Sequence, residues 1–277
     1  MKKRLKNYKE VPFPKIRRVY SDQPREVQRK HIFHALVEVD VTKARQSLRE
    51  HKARTGESLS FTAFIATCLG RAVDENKSVQ AYRKGRKHLI LFDEVDVTMM
   101  VESHMGEQIL PLAYIIRASN KKTFREIHQE IRAAQAQNAQ LTQVWKRMQW
   151  FVRLPTFLRN GFWRVVRKNP HLLKRVVGTV TLTAIGMFGE GAGWGIPFRN
   201  ANHTLMITLG GIGEKPGIVD GHIVIREYLS MTLSFDHSIV DGAPAARFTR
   251  RLKELIESGY GLDDSMVKSE QAVAPGT

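Results

Sequence analysis

The chain has one cysteine, Cys68, among 277 residues. A single thiol excludes an internal disulfide framework and fits a reducing compartment, so a cytoplasmic location is expected. No apolar segment follows the basic N-terminus, so no secretory signal is read there. Long hydrophobic runs are also missing. The longest weakly polar stretch, residues 176–189, is too short and too rich in Thr and Gly to span a bilayer. Acidic residues are scarce and unevenly placed: between Glu130 and Glu190 there is none, while that interval carries ten Lys or Arg. No internal repeat is visible. A nucleic-acid partner would rest on charge alone, since no recognised binding motif accompanies it, and is not expected.

Positive charge is in excess, formally +17. Residues 1–30 hold eleven Lys or Arg against three acids, are punctuated by proline, and read as a basic N-terminal extension. Such asymmetry suggests an anionic partner: a phosphorylated cofactor, an acidic protein, a membrane surface or nucleic acid. Hydrophobic residues make up 42% of the chain, enough at this length for one large domain or two small ones.

Strand and helix patterns alternate without a linker. Residues 31–41, with Ile32, Val37, Val39 and Val41, favour a strand. Thr42 is placed to cap a helix that Gly56 ends. Ser60 caps the next, whose apolar stripe is Phe61, Phe64, Ile65, Cys68, Leu69 and Ala72; Cys68 reads there as a small core residue. Residues 88–101 read as two strands and 109–117 as another. Thr123 with Glu126 forms a capping box for a helix to about Gln140. Strands follow at 178–185 and 204–209, and Asp220-Gly221 marks a hairpin. One continuous series of this kind argues for a single α/β or α+β domain over residues 31–262, with residues 263–277 as a polar tail.

The most informative stretch is Ser234-Phe235-Asp236-His237-Ser238-Ile239-Val240-Asp241-Gly242. Upstream, Leu229, Met231, Leu233 and Phe235 alternate with Ser230, Thr232 and Ser234, the period of a half-buried strand. Downstream, Phe248, Leu252, Leu255 and Ile256 recur at helical spacing, Pro244 suits a first turn and Gly259 a stop. A histidine on such a junction can expose one ring nitrogen while the backbone fixes the other, as a general base requires.

His-x-x-x-Asp-Gly with the Ala245-Ala246-Arg247-Phe248 helix resembles the C-terminal signature of the dihydrolipoamide acyltransferases, the catalytic cores of 2-oxo acid dehydrogenase complexes, related in fold to chloramphenicol acetyltransferase. The segments His31–Val41, Leu59–Leu69, Ile109–Ser119, Thr123–Arg132 and Gly178–Gly189 resemble further parts of that family in matching order, over roughly residues 16–262. The resemblance implies a chloramphenicol acetyltransferase-like α/β fold, a two-layer α+β sandwich with a mixed central sheet. It implies His237 as the base that deprotonates a thiol for attack on a thioester. It places Thr183, where the family has a serine, as the oxyanion-stabilising hydroxyl, and gives Asp241 an orienting role. Coenzyme A or acyl-CoA is implied as a substrate, with no metal, and a trimer with active sites between subunits is expected. The bland readings are a buried structural His237, a strand-filling Thr183 and a capping Asp241. Together they describe a non-catalytic scaffold.

Three departures from the family pattern stand out. No lipoyl-type lysine motif appears in residues 1–30, so no covalently attached lipoyl group is expected and acyl groups would come from a lipoyl domain in trans or from acyl-CoA. Ser238 replaces the arginine that follows the histidine, and residues 102–108 form a loop of unusual sequence. Residues 141–177 form a longer connection. There Leu141, Val144, Trp145, Met148, Phe151 and Val152 share one helical face, and Phe157, Leu158, Phe162, Val165 and Val166 a second, opposed by Arg159, Arg164, Arg167 and Lys168. Amphipathic helices usually face a core, here the protein's own or a neighbouring subunit's. The other reading is an anionic membrane surface contacted through residues 141–168, or a lid over a lipid-like acyl chain.

Overall fold

A computed structural model describes residues 30–105, 108–136, 147, 149–185, 191–197 and 202–262. Its centre is a six-stranded mixed sheet. The strands are β1 (Ile32–Asp40), β4 (Val97–Met105), β5 (Gln108–Ile116), β6 (Val180–Ala184), β7 (Leu205–Val219) and β8 (His222–Asp236), in the order β1-β8-β7-β6-β4-β5. β6 runs parallel to both β4 and β7, and the remaining neighbours are antiparallel. A separate two-stranded hairpin joins β2 (Tyr82–Lys84) to β3 (His88–Ile90).

The alternation read from residues 229–235 sets the layers. Leu229, Met231, Leu233 and Phe235 are fully buried in the main core with Val39, Val180, Leu182, Leu205 and Ile207. That core is completed by α1 (Thr42–Thr55), α2 (Phe61–Glu75), α3 (Phe124–Ala136) and α6 (Gly242–Ser258), which contribute Leu48, Phe64, Phe124 and Phe248 among others. Cys68 lies inside α2 and fully buried, and burial pushes its thiol pKa up, away from reactivity.

Local signals place the element ends. Ser60 accepts from Ala63 N at 3.2 Å, and Thr123 with Glu126 forms the expected reciprocal capping box. Asp220 (φ 50°) and Gly221 (φ 80°) both adopt positive φ, which a two-residue hairpin turn twisted with its strands demands. Two expectations are corrected. Thr42 does not cap α1: the N-cap is Val41, and the Thr42 hydroxyl accepts from Glu227 N at 2.8 Å, tying the helix to β8. Residues 102–105 and 108 are strand, so most of the expected loop belongs to β4 and β5, and residues 106–107 lie outside the described set.

Residues 141–146 and 148 lie outside the described residues too. Beyond them stand α4 (Thr156–Lys168) and α5 (Pro170–Val177). Here the face assignment from sequence holds for Val166, Arg164 and Lys168 and fails for Arg159. Arg159 is buried, whereas Phe157, Leu158, Phe162 and Val165 are exposed. The reason is a small second core of Tyr82, Phe92, Val166 and Leu173, against which Trp163 packs, so α4 turns its Trp163–Val166 side inward.

Candidate active site

β8 delivers the histidine to a junction held from several directions. Its last residue, Asp236, closes the ladder through Asp236 N to Thr204 O at 2.9 Å. The next peptide donates from His237 N to His31 O at 2.7 Å, and the Asp236 carbonyl accepts from Ile239 N and Val240 N at 3.0 Å each. The His237 backbone therefore has little freedom, while its side chain is 55% exposed. Its ring leans on Phe33 with centroids 5.1 Å apart. A half-exposed ring on a fixed backbone suits a base, and it rules out the buried structural reading for this residue.

Asp241 stands one turn on, with Oδ1 3.7 Å from His237 Nδ1. That is longer than a hydrogen bond, so the carboxylate stands beside the ring without bonding to it. Asp241 is the N-cap residue of α6, yet its side chain makes no capping bond. The cap reading thus holds for position and fails for the carboxylate, which is left available to the ring.

Sequence reading assigned no role to Asp236, and the structure gives it one. Its carboxylate is buried, accepts from Ser238 N at 3.1 Å and Ser238 Oγ at 2.7 Å, and lies 3.0 Å from Lys30 Nζ. Burial works to raise its pKa, but the Lys30 charge and the Ser238 bonds outweigh that and hold it below the usual carboxylate range. Burial lowers the Lys30 ammonium in turn, with Asp236 offsetting part of the effect. Ser238 is therefore an anchor of the turn. The one sequence hint was the acid directly before the histidine; nothing local pointed to Lys30.

Lys30 also donates to His203 O at 3.0 Å. His203 Nε2 is 2.6 Å from the Val177 carbonyl, which can only accept, so Nε2 carries the proton and Nδ1 accepts from Thr181 Oγ1 at 2.8 Å. Burial is the first cause that lowers His203 to about 4, so the ring is neutral near pH 7. The Thr181 hydroxyl is thereby committed. Two residues along the same face of β6, the half-buried Thr183 has no hydrogen-bond partner for its hydroxyl among the described residues.

The structure brings His237 and Asp241 together and leaves Thr183 apart. Thr208 pairs with both Thr183 and Thr232, and His237 lies five residues past Thr232. At about 3.3 Å per residue and about 4.8 Å per strand, Thr183 and His237 of one chain stand roughly 19 Å apart. One carbonyl cannot meet both within a single chain.

A cavity of about 470 Å³ opens beside the His237 turn, lined among others by Lys30, His31, Arg83, Arg167, Asn202 and Ser238. Its wall also carries Asp236, the partner of Lys30, so Arg83 and Arg167 give it its basic character. Among the described residues no cluster of three or more His, Cys, Asp or Glu is arranged to hold a metal ion.

Comparison with known proteins gives the family of the chain. The profile of the 2-oxoacid dehydrogenases acyltransferase (catalytic domain) family matches residues 5–144 and 172–262. The chain belongs to this family. The match begins at residue 5, so it takes in most of the basic N-terminal stretch, and it leaves out residues 145–171, within the connection that looked long. Among relatives of this acyltransferase-family chain, the lipoamide acyltransferase component of the branched-chain alpha-keto acid dehydrogenase complex of Bacillus subtilis is 25% identical over 258 residues. That match spans 90% of this chain and 52% of that protein. The dihydrolipoyllysine-residue succinyltransferase component of the 2-oxoglutarate dehydrogenase complex of Saccharomyces cerevisiae is 39% identical over 80 residues, 29% of this chain and 17% of that protein. The chain thus spans about half or less of the curated relatives it matches. The fold is that of a probable dihydrolipoamide acetyltransferase from Listeria monocytogenes, with a TM-score of 0.66 and 21% identity over 91% of this chain and 96% of that one. A truncated catalytic core of the 2-oxoacid dehydrogenase multienzyme complex from Thermoplasma acidophilum gives 0.65 and 23%, over 91% and 100%. The mixed α/β fold expected from sequence is the one observed.

Proposed function

We propose that the protein transfers an acyl group between thiols, from a thioester such as acyl-CoA to an acceptor such as dihydrolipoamide, with His237 as general base. The observation that carries this reading is the half-exposed His237 ring on a backbone pinned by His31 and by the Asp236 carboxylate. The imidazole takes the thiol proton and the thiolate attacks the thioester carbonyl. The Thr183 hydroxyl donates to the tetrahedral oxyanion, an interaction worth about 3–4 kcal/mol of barrier. Collapse expels the second thiolate, which recovers the proton from the imidazolium. Asp241, beside the ring, has an orienting role. Names of relatives support the reaction class. The Azotobacter vinelandii dihydrolipoamide acetyltransferase, of the same fold, has been studied for the roles of a serine, a histidine and an asparagine four residues later in its catalytic mechanism. Here those types correspond to Thr183, His237 and Asp241.

Because Thr183 and His237 are far apart in one chain, each site draws them from two chains, and a trimer closes three such interfaces. A structural relative is the cubic core of the pyruvate dehydrogenase multienzyme complex. The β7–β8 hairpin supports self-association, since Ile218, Ile223 and Ile225 are each about three-quarters exposed near its tip. The cavity beside Arg83 and Arg167 suits the phosphates of CoA, and lipoyl domains are the expected partners. The single buried thiol fits the cytoplasm, where we place the protein.

The test is acyl transfer from acetyl-, succinyl- and isobutyryl-CoA to dihydrolipoamide, comparing wild type with His237→Ala. Turnover should fall by about 10²–10⁴-fold in the variant. A measurable activity that His237→Ala leaves unchanged removes the site assignment, and a folded trimer with no transfer to any acceptor favours a scaffold.

A further inference from the structure

α4 carries apolar residues on both of its sides. Inward, Val166 and Trp163 pack with Tyr82, Phe92 and Leu173. Arg159 is also inward, donating to Val152 O at 3.0 Å and Thr156 Oγ1 at 3.1 Å, so it ties down the turn that precedes the helix. Outward, Phe157, Gly161 and Val165 follow one another at i, i+4 and i+8, with Leu158 and Phe162 beside them. Phe157 is 71% exposed, Val165 62%, Leu158 47% and Phe162 44%, and Trp150 just upstream is 64% exposed. A helix that is apolar on both sides needs a partner on each. The body of the protein supplies one.

The surroundings of the outer face are positive. Arg153, Arg164 and Lys168 are exposed on and beside it. The neighbouring β2–β3 hairpin exposes Lys84, Arg86 and Lys87, and its Tyr82 belongs to the same small core as Val166. No acid occurs between Glu130 and Glu190. The face also lies in residues 145–171, which the family profile does not match.

We propose that α4 docks this protein on an anionic lipid bilayer, with Phe157, Leu158, Phe162 and Val165 seated at the acyl boundary and the flanking cations on headgroup phosphates. The proposal is independent of the acyl-transfer reading. Charge selects the occupant. A second copy, or the chain's own residues 1–29, would bring more positive charge to a positive face. Nucleic acid would satisfy the cations and leave the apolar row uncovered. Contact is peripheral, since among the described residues no helix is long and apolar enough to cross a membrane.

The experiment is sedimentation of the full chain with vesicles of phosphatidylcholine and phosphatidylglycerol in equal parts, and with vesicles of phosphatidylcholine alone. Partition into the anionic vesicles should be at least about tenfold stronger, and Phe157→Ser with Val165→Ser should lose a factor of similar size. Both side chains are exposed, so the double variant should keep the wild-type circular dichroism and gel-filtration volume. A second variant, Arg164→Glu with Lys168→Glu, should show the same loss. Equal partition of the wild type and the double serine variant overturns the proposal. So does a shift of oligomeric state in that variant, which would make the face a subunit contact. Binding to duplex DNA with no partition into either vesicle overturns it as well.

Discussion

Lys30 Nζ lies 3.0 Å from the buried carboxylate of Asp236, at the turn that carries His237. The two are far apart in sequence, yet the pair joins the start of β1 to the end of β8 and fixes Ser238. Asp236→Asn leaves a mostly buried ammonium without its counter-charge and should cost about 2–3 kcal/mol, somewhat under the range for a fully buried pair because Lys30 is partly exposed. Replacing both, Lys30→Met with Asp236→Asn, should recover part of that. Denaturant midpoints of the three proteins check it, and equal losses in single and double variants would deny the pair its role.

Complementation tests the two-chain site. Thr183→Ala and His237→Ala should each be inactive alone. Refolded together, they should regain activity in roughly a quarter of sites, as random mixing of chains in a closed ring gives. Mixed oligomers without activity would place both groups in one chain, against the strand register.

Thr183 and Thr181 should separate chemistry from stability. Thr183→Val is expected to lower turnover by about 10²–10³-fold with an unchanged unfolding midpoint, and Thr183→Ser to keep most activity. Thr181→Val strips His203 Nδ1 of its donor and should cost about 1–3 kcal/mol of stability. The readouts are kcat against thermal midpoint, and a reversed pattern would exchange the two assignments.

His203 gives the fold a pH limit. Its pKa falls from 6.5 in the unfolded chain to about 4 in the folded protein, so between those values the unfolded state binds the extra proton. Its contribution is whole above pH 6.5 and lost as pH falls towards 4, about 3 kcal/mol in all. Asp236, also held below its ordinary value, adds a loss only at lower pH, as its carboxylate protonates. Urea midpoints between pH 7 and 4 should fall in the wild type and fall less steeply in His203→Gln, where His128, also lowered by burial, keeps part of the slope. A slope unchanged by the substitution would assign the effect elsewhere.

Much of the fold was legible because its signals are local. The 229–235 alternation gives one face of β8, Asp220-Gly221 the hairpin, Ser60 and Thr123 two helix starts, and together these put His237 at a strand end. The local reading failed where a side chain had two choices of neighbour. Thr42 looked like a cap and instead binds Glu227 of β8. Periodicity showed that α4 has an apolar row and left a core and a membrane surface open for it, but it put Arg159 on the solvent side, the reverse of what is found.

By itself, then, the sequence determined the alternation of strands and helices, the family and the identity of the candidate base. Periodicity and turn chemistry act within a few residues, and motif order survives along the chain. Only the tertiary structure decided that Lys30 holds Asp236, that Thr181 is spent on His203, and that Thr183 sits roughly 19 Å from His237. Those facts depend on strand register and on burial between residues far apart in sequence, which no local pattern encodes.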